Sequence, residues 1–265
     1  MAQTVADEAA AALGWEHLVP PDLSGRTVVV TGASDGIGRE SALHLARWGA
    51  RLVLPVRNRA KGERARARLL RESAADRADA VTLVDLDLTE SLLPVVRERV
   101  VLVTSHAHTS GRMDHDDPHF RRTRWTLPRA YSRSKLTAML WGLDLGARMP
   151  AGTQVQLTHP GWVVTNLQNA SGNAHVDRLV TAASRPLAMT PAQGAAAVLF
   201  SLTQPLPPGS YVGPDGWQHL RGRPTLIRRS ARALDRSEAA RTAAWMRREV
   251  GLDAGGPVPG PRAPA

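Results

Sequence analysis

In the run YSRSK, Tyr131 and Lys135 stand four positions apart. On a helix that spacing puts a phenol and an ammonium on one face. A neighbouring cation draws a phenol pKa down from about 10 toward working pH. The phenol can then give or take a proton at a carbonyl or alcohol oxygen. The chain holds two tyrosines and two lysines in all, so the pairing is informative rather than a by-product of composition. Ser105 follows the apolar run Arg99–Thr104. From the end of a strand its hydroxyl would hydrogen-bond the same oxygen and hold a substrate carbonyl.

A second group has the chemistry of phosphate binding. Thr31–Gly38 reads TGASDGIG between a β-branched run and an amphipathic one. Gly32, Gly36 and Gly38 would let the backbone turn tightly and approach a phosphate, with the following helix N-terminus favouring its charge. Ser34, Asp35 and Ile37 fill the same loop and count with the glycines as cofactor contacts. Arg57 closes the next strand, where a fold that binds NAD usually carries an acid for the ribose hydroxyls. An arginine suits a 2′-phosphate instead, and Lys61 one helical turn on adds a second charge. NADP rather than NAD is the expected cofactor. A His/Asp-rich loop (His106, His108, Asp114, His115, Asp116, Asp117, His119) has metal-ligand residue types. His-x-His in a loop fixes no geometry, and no metal is assigned.

These residues need a scaffold. Strands are predicted at Arg26–Gly32, Arg51–Val56, Ala80–Leu88, Arg99–Thr104, Thr153–Gly161 and Gly209–Gly216. Helices are predicted at Ile37–Ala50, Ala60–Ser73, Tyr131–Met149, Pro191–Leu202 and Ser237–Val250. Strands alternating with helices of this length imply βαβ units and a parallel sheet. The reading is an α/β chain: an N-terminal extension over 1–21, a Rossmann-like domain over 22–252 and a Pro/Gly-rich disordered tail over 253–265.

Composition narrows the classes. With no cysteine, a disulfide framework or Cys-based metal site is excluded. No run approaches the ~20 apolar residues of a membrane span, nor does the start resemble a secretory signal; a cytoplasmic location is expected. The net charge is +10, but the arginines are scattered rather than striped, so no nucleic-acid partner is expected.

The glycine motif, the VRN of Val56–Asn58, Asp87–Leu88, Ser105, the Tyr–Lys pair, HPGWVVT at His159–Thr165 and GSYVGPDG at Gly209–Gly216 occur in that order. The set resembles the short-chain dehydrogenase/reductase family, particularly its retinol-dehydrogenase-like, NADP-preferring members. The resemblance implies a doubly wound parallel sheet and hydride transfer between nicotinamide and a carbonyl or alcohol carbon. In it Tyr131 is the acid/base, Lys135 tunes it and binds ribose, and Ser105 orients a small-molecule substrate. Arg57 and Asn58 lie near the 2′-phosphate, Asp87 and Leu88 near adenine, and Pro160, Gly161, Val163 and Thr165 near the nicotinamide. A homo-oligomer is also implied.

One departure stands out. The family's Asn-Asn-Ala-Gly strand end and the helix carrying a catalytic Asn are missing, about fifty residues lost near Thr89–Ser91. The fold is therefore expected to have one central strand fewer. If the serine strand took the vacant slot, Thr89–Glu98 would have to cross about 14 Å, and ten residues reach roughly 33 Å. A covering helix would not fit there, leaving one sheet face thinly covered. Ser105 and the Tyr131 helix would shift by about one strand spacing relative to the cofactor, so the alternative is a non-catalytic NADP-binding or scaffold protein.

Overall fold

The computed structural model describes residues 20–73, 80–85, 95–163 and 188–251. The chain divides into two compact units. The first takes in Met1–Asp87, Pro160–Leu199 and Pro214–Pro224, the second Leu88–His159, Phe200–Gly213 and Thr225–Ala265.

The first unit is built on a three-stranded parallel sheet in the order β1-β2-β3: β1 Thr27–Val29, β2 Arg51–Val56 and β3 Val81–Asp85. Helix α1 (Gly36–Arg47) joins β1 to β2, and α2 (Arg59–Ser73) joins β2 to β3. The predicted first strand was longer, and Pro55 explains the difference. Val29 pairs with Val53, and Val30 donates to the Val53 carbonyl. The next rung would need an N–H from residue 55, which proline lacks. Leu45, Leu52, Leu54, Leu69 and Val81 form the buried side of this unit. Asn58 starts α2, its Oδ1 accepting the Lys61 N–H at 2.9 Å.

The second unit carries a four-stranded sheet ordered β4-β5-β6-β7: β4 Arg99–Val103, β5 Gln154–Thr158, β6 Tyr211–Pro214 and β7 Pro224–Leu226. The first three run parallel. β7 was not foreseen; it returns along β6, with Ile227 donating to the Tyr211 carbonyl. Helix α3 (Leu127–Arg148) packs on β4 and β5, burying Leu136, Met139 and Leu140 with Leu157 and Tyr211. A Cβ on Gly142 would lie 2.8 Å from Leu102 and 3.0 Å from Leu157. This close approach sets how tightly α3 lies on the sheet.

Helix α4 (Pro191–Thr203) begins at Pro191 as predicted, with Thr190 and Gln193 capping each other's main-chain N–H groups. Its last carbonyls receive the Arg99 guanidinium, which donates to Ser201, Leu202 and Gln204. A cation there also suits the helix dipole. Helix α5 (Arg236–Glu249) is capped by Asp235 and packs against α3.

The expected shortened sheet is thus realised as one sheet of three strands and one of four, β1 being an edge of the first and β4 an edge of the second. Parallel strands are ordinarily buried on both faces, yet Val29 is 40% and Val103 is 44% exposed. The junction itself, residues 86–94, lies outside the described residues.

Candidate active site

The glycine loop belongs to the first unit. Gly32 and Gly36 adopt φ of +67° and +53°, a region that costs other residues ~1–3 kcal/mol. Gly38 is required for space: a Cβ there would lie 2.5 Å from the Gly32 carbonyl oxygen. The loop is therefore folded back against the first turn of α1. Asp35 caps that turn, its Oδ1 accepting the Gly36 N–H at 2.8 Å. Ile37 and Gly38 are among the helix N-terminal donors without an intrahelical acceptor, and the first turn has no acid. A phosphate fits this cradle.

Arg57 and Asn58 follow β2 directly and are exposed. Neither Arg57 nor Lys61 forms an ion pair among the described residues, whereas Arg59 on the same helix is paired with Glu63 at 3.2 Å. Two uncommitted cations at a helix N-terminus suit an added phosphate. The Pro160–Gly161 turn is in the same unit. Gly161 has φ +84°, and a Cβ would lie 2.8 Å from the Leu220 carbonyl. Trp162 donates to that carbonyl at 2.7 Å, and Val163 bridges to Met189. Asp87, Leu88 and Thr165 lie outside the described residues.

Ser105, Tyr131 and Lys135 belong to the second unit. Helix α3 starts at Leu127, a turn earlier than predicted, with Pro128 in its first turn. Tyr131 and Lys135 therefore sit well inside it, with no fraying end between them. Lys135 Nζ lies 5.5 Å from the Tyr131 ring centroid, and burial lowers its pKa from the usual lysine value. Ser105 is 9% exposed and extended, and its Oγ accepts the Ala107 N–H at 3.3 Å, starting a 3-10 turn over His106–Ser110. Gly111 ends that turn, and a Cβ there would lie 2.5 Å from the Ser132 carbonyl and 2.8 Å from Leu136. The turn that follows Ser105 is thus seated on α3 at Ser132 and Leu136.

Arg133 and Gly111 of this unit were not singled out from sequence, and Asp117 was named only as part of the His/Asp-rich loop. Arg133, inside the YSRSK motif, is 8% exposed and donates to the carbonyls of Arg112, Asp117 and Pro118 while covering the Phe120 ring at 3.8 Å. Asp117 accepts the N–H groups of Arg121, Arg122 and Thr123 and the Thr123 hydroxyl. Burial works to raise its pKa, but these bonds outweigh it and hold the carboxyl at about 2. Together they pin the loop between Gly111 and Thr126 to α3. Its histidines go to α5, His115 to Glu238 at 2.7 Å and His119 to Glu249 at 3.0 Å. No spacing rule marks Arg133 or Gly111, because their partners are main-chain carbonyls brought up by the fold.

In one unit the parallel strands end in a glycine loop, and in the other they end in a serine turn seated on a Tyr–Lys helix. Residues 26–103 of this chain match the family model for short chain dehydrogenases. Its relatives are retinol-dehydrogenase-like. Dehydrogenase/reductase SDR family member 13 of Bos taurus is 32% identical over 201 residues, covering 55% of this chain and 53% of the relative. Human retinol dehydrogenase 13 is 27% identical over 207 residues, covering 57% and 62%. A solved structure of an uncharacterized protein from Mycobacterium paratuberculosis matches with a TM-score of 0.67 at 27% identity, covering 89% of this chain and 97% of the other. The chain spans little more than half the length of these curated relatives. The 201 positions aligned to the bovine protein take up 55% of 265 residues, about 146, so some 55 positions face a gap here. That shortfall has the size expected for the missing block.

Proposed function

We propose that this chain is an NADP-dependent oxidoreductase that moves hydride between nicotinamide and the carbon of a small carbonyl or alcohol substrate. The observation that carries the reading is how Ser105 is held. Its Oγ accepts the Ala107 N–H, which leaves its own proton free to be donated to a substrate oxygen. Tyr131 gives or takes the proton at that oxygen. Lys135, a half-buried ammonium 5.5 Å from the Tyr131 ring centroid, would stabilise the phenolate and bind ribose. NADP, when bound, supplies or accepts the hydride. Gly32, Ser34, Asp35, Gly36, Ile37 and Gly38 would hold its pyrophosphate, Arg57 and Asn58 its 2′-phosphate, and Pro160, Gly161 and Val163 its nicotinamide end.

A second reading, a non-catalytic NADP-binding protein of the same fold, is favoured by the shortfall of some 55 positions and by the two edge strands β1 and β4. NADPH titration followed by turnover on a panel of ketones, aldehydes and alcohols separates the two. Binding with turnover that Tyr131→Phe lowers by about 10³-fold supports the enzyme. Binding by folded protein without turnover supports the second reading, and absence of NADPH binding overturns both.

A further inference from the structure

His108 is 0% exposed. Both of its ring nitrogens are engaged. Nδ1 lies 2.9 Å from the Ser105 carbonyl oxygen, and Nε2 lies 3.2 Å from the main-chain nitrogen of Ser230. A main-chain N–H can only donate, so Nε2 is the acceptor and the ring proton sits on Nδ1. The tautomer is therefore decided by geometry. Protonation would set an Nε2–H against the Ser230 N–H. Burial lowers the pKa of the ring, which favours its neutral form.

With Nδ1–H donating, the Ser105 carbonyl receives two bonds, the other from the His108 main-chain N–H at 3.1 Å. The Ser105 hydroxyl receives a third, from Ala107. Serine is thus held at both its main chain and its side chain. The ring is wedged edge-on against Tyr211, with centroids 5.4 Å apart at 86°. Ser230 in turn caps the 3-10 turn Ala231–Leu234.

We propose that His108 is a positioning residue that sets the direction of the Ser105 hydroxyl, tying the serine turn to the chain at Ser230. The inference rests on the oxidoreductase reading above. A misplacement of about 1 Å at a reacting group costs on the order of 100-fold in rate, which is the scale of effect to look for.

The test uses the full chain with NADPH and the best carbonyl substrate of the panel. His108→Leu fills the space with no hydrogen bonds; His108→Asn places an amide N–H where Nδ1 was. His108→Leu is expected to lower kcat about 100-fold with NADPH affinity within about twofold of the parent. His108→Asn is expected to recover kcat to within about fivefold of the parent, since the donor to Ser105 is restored. Equal kcat for His108→Leu and the parent overturns the proposal while the oxidoreductase reading stands. So does failure of His108→Asn to rise above His108→Leu when both are folded by circular dichroism. Ring 15N shifts of His108 give an arm independent of activity. A protonated Nδ1 with bare Nε2 supports the assignment, and the opposite tautomer overturns it. A parent with no turnover overturns the oxidoreductase reading and the positioning role with it.

Discussion

Gly32 and Gly38 lie in one motif but are glycine for different reasons. At Gly32 the backbone is left-handed, with open space where a Cβ would go; at Gly38 a Cβ would meet the Gly32 carbonyl at 2.5 Å. Gly38→Ala is expected to weaken NADPH binding by at least tenfold, because the loop itself must move, and to cost about 1–3 kcal/mol of stability. Gly32→Ala is expected to cost about 1 kcal/mol of backbone strain with a smaller loss of binding. Fluorescence titration and chemical denaturation read the two effects separately. Arg57→Gln removes one of the two uncommitted cations after β2. NADPH affinity is expected to fall about tenfold and NADH affinity to stay within twofold; equal losses for both would sink the 2′-phosphate assignment.

At the scale of elements, α1 contains a buried titratable group. His44 is 2% exposed and its Nδ1 has no hydrogen-bond partner in the described residues. Burial, with a smaller contribution from Arg47, lowers its pKa from 6.5 to about 4. The unfolded chain therefore binds the proton first, and stability is lost as pH falls from about 6.5 toward 4. The loss approaches about 3 kcal/mol. His44→Leu is expected to flatten that part of the stability–pH curve, read from urea midpoints at pH 7 and pH 4.5. On α3, Arg133 serves three main-chain carbonyls through a planar fork that lysine cannot reproduce. Arg133→Lys is expected to cost roughly 1.5–3 kcal/mol and to speed proteolysis within residues 112–126. Unchanged cleavage of that loop would show that the clamp does not hold it.

At the scale of the whole molecule, β1 and β4 each have a strand neighbour on one side only among the described residues. Val29 and Val103 expose apolar side chains on β1 and β4, and an unpaired edge is a template for association. Val29→Thr with Val103→Thr is expected to slow aggregation on heating, measured by light scattering, with a Tm within about 3 °C of the parent. The net charge of +10 opposes association, so the difference is expected to grow with salt. Among the described residues no helix is long and apolar enough to cross a membrane.

What the sequence determined is local. The glycine loop, the i,i+4 Tyr–Lys pair, Pro191 at a helix start and the alternation of strand and helix all follow from contacts within a few residues. They were legible with their boundaries off by a few positions. The order of the motifs carried the resemblance to the family, and the jump near Thr89–Ser91 pointed to a missing block. The tertiary structure decided what depends on partners distant in sequence. Pro55 shortens β1 because it faces Val30; β7 exists because Ile227 meets Tyr211. Ser105 is held by a histidine whose other nitrogen reaches Ser230, 122 positions further on. Arg133 and Gly111 are committed to carbonyls that no periodicity announces. Hydrogen bonds and close approaches of this kind are set by three-dimensional packing, which pattern and composition do not encode.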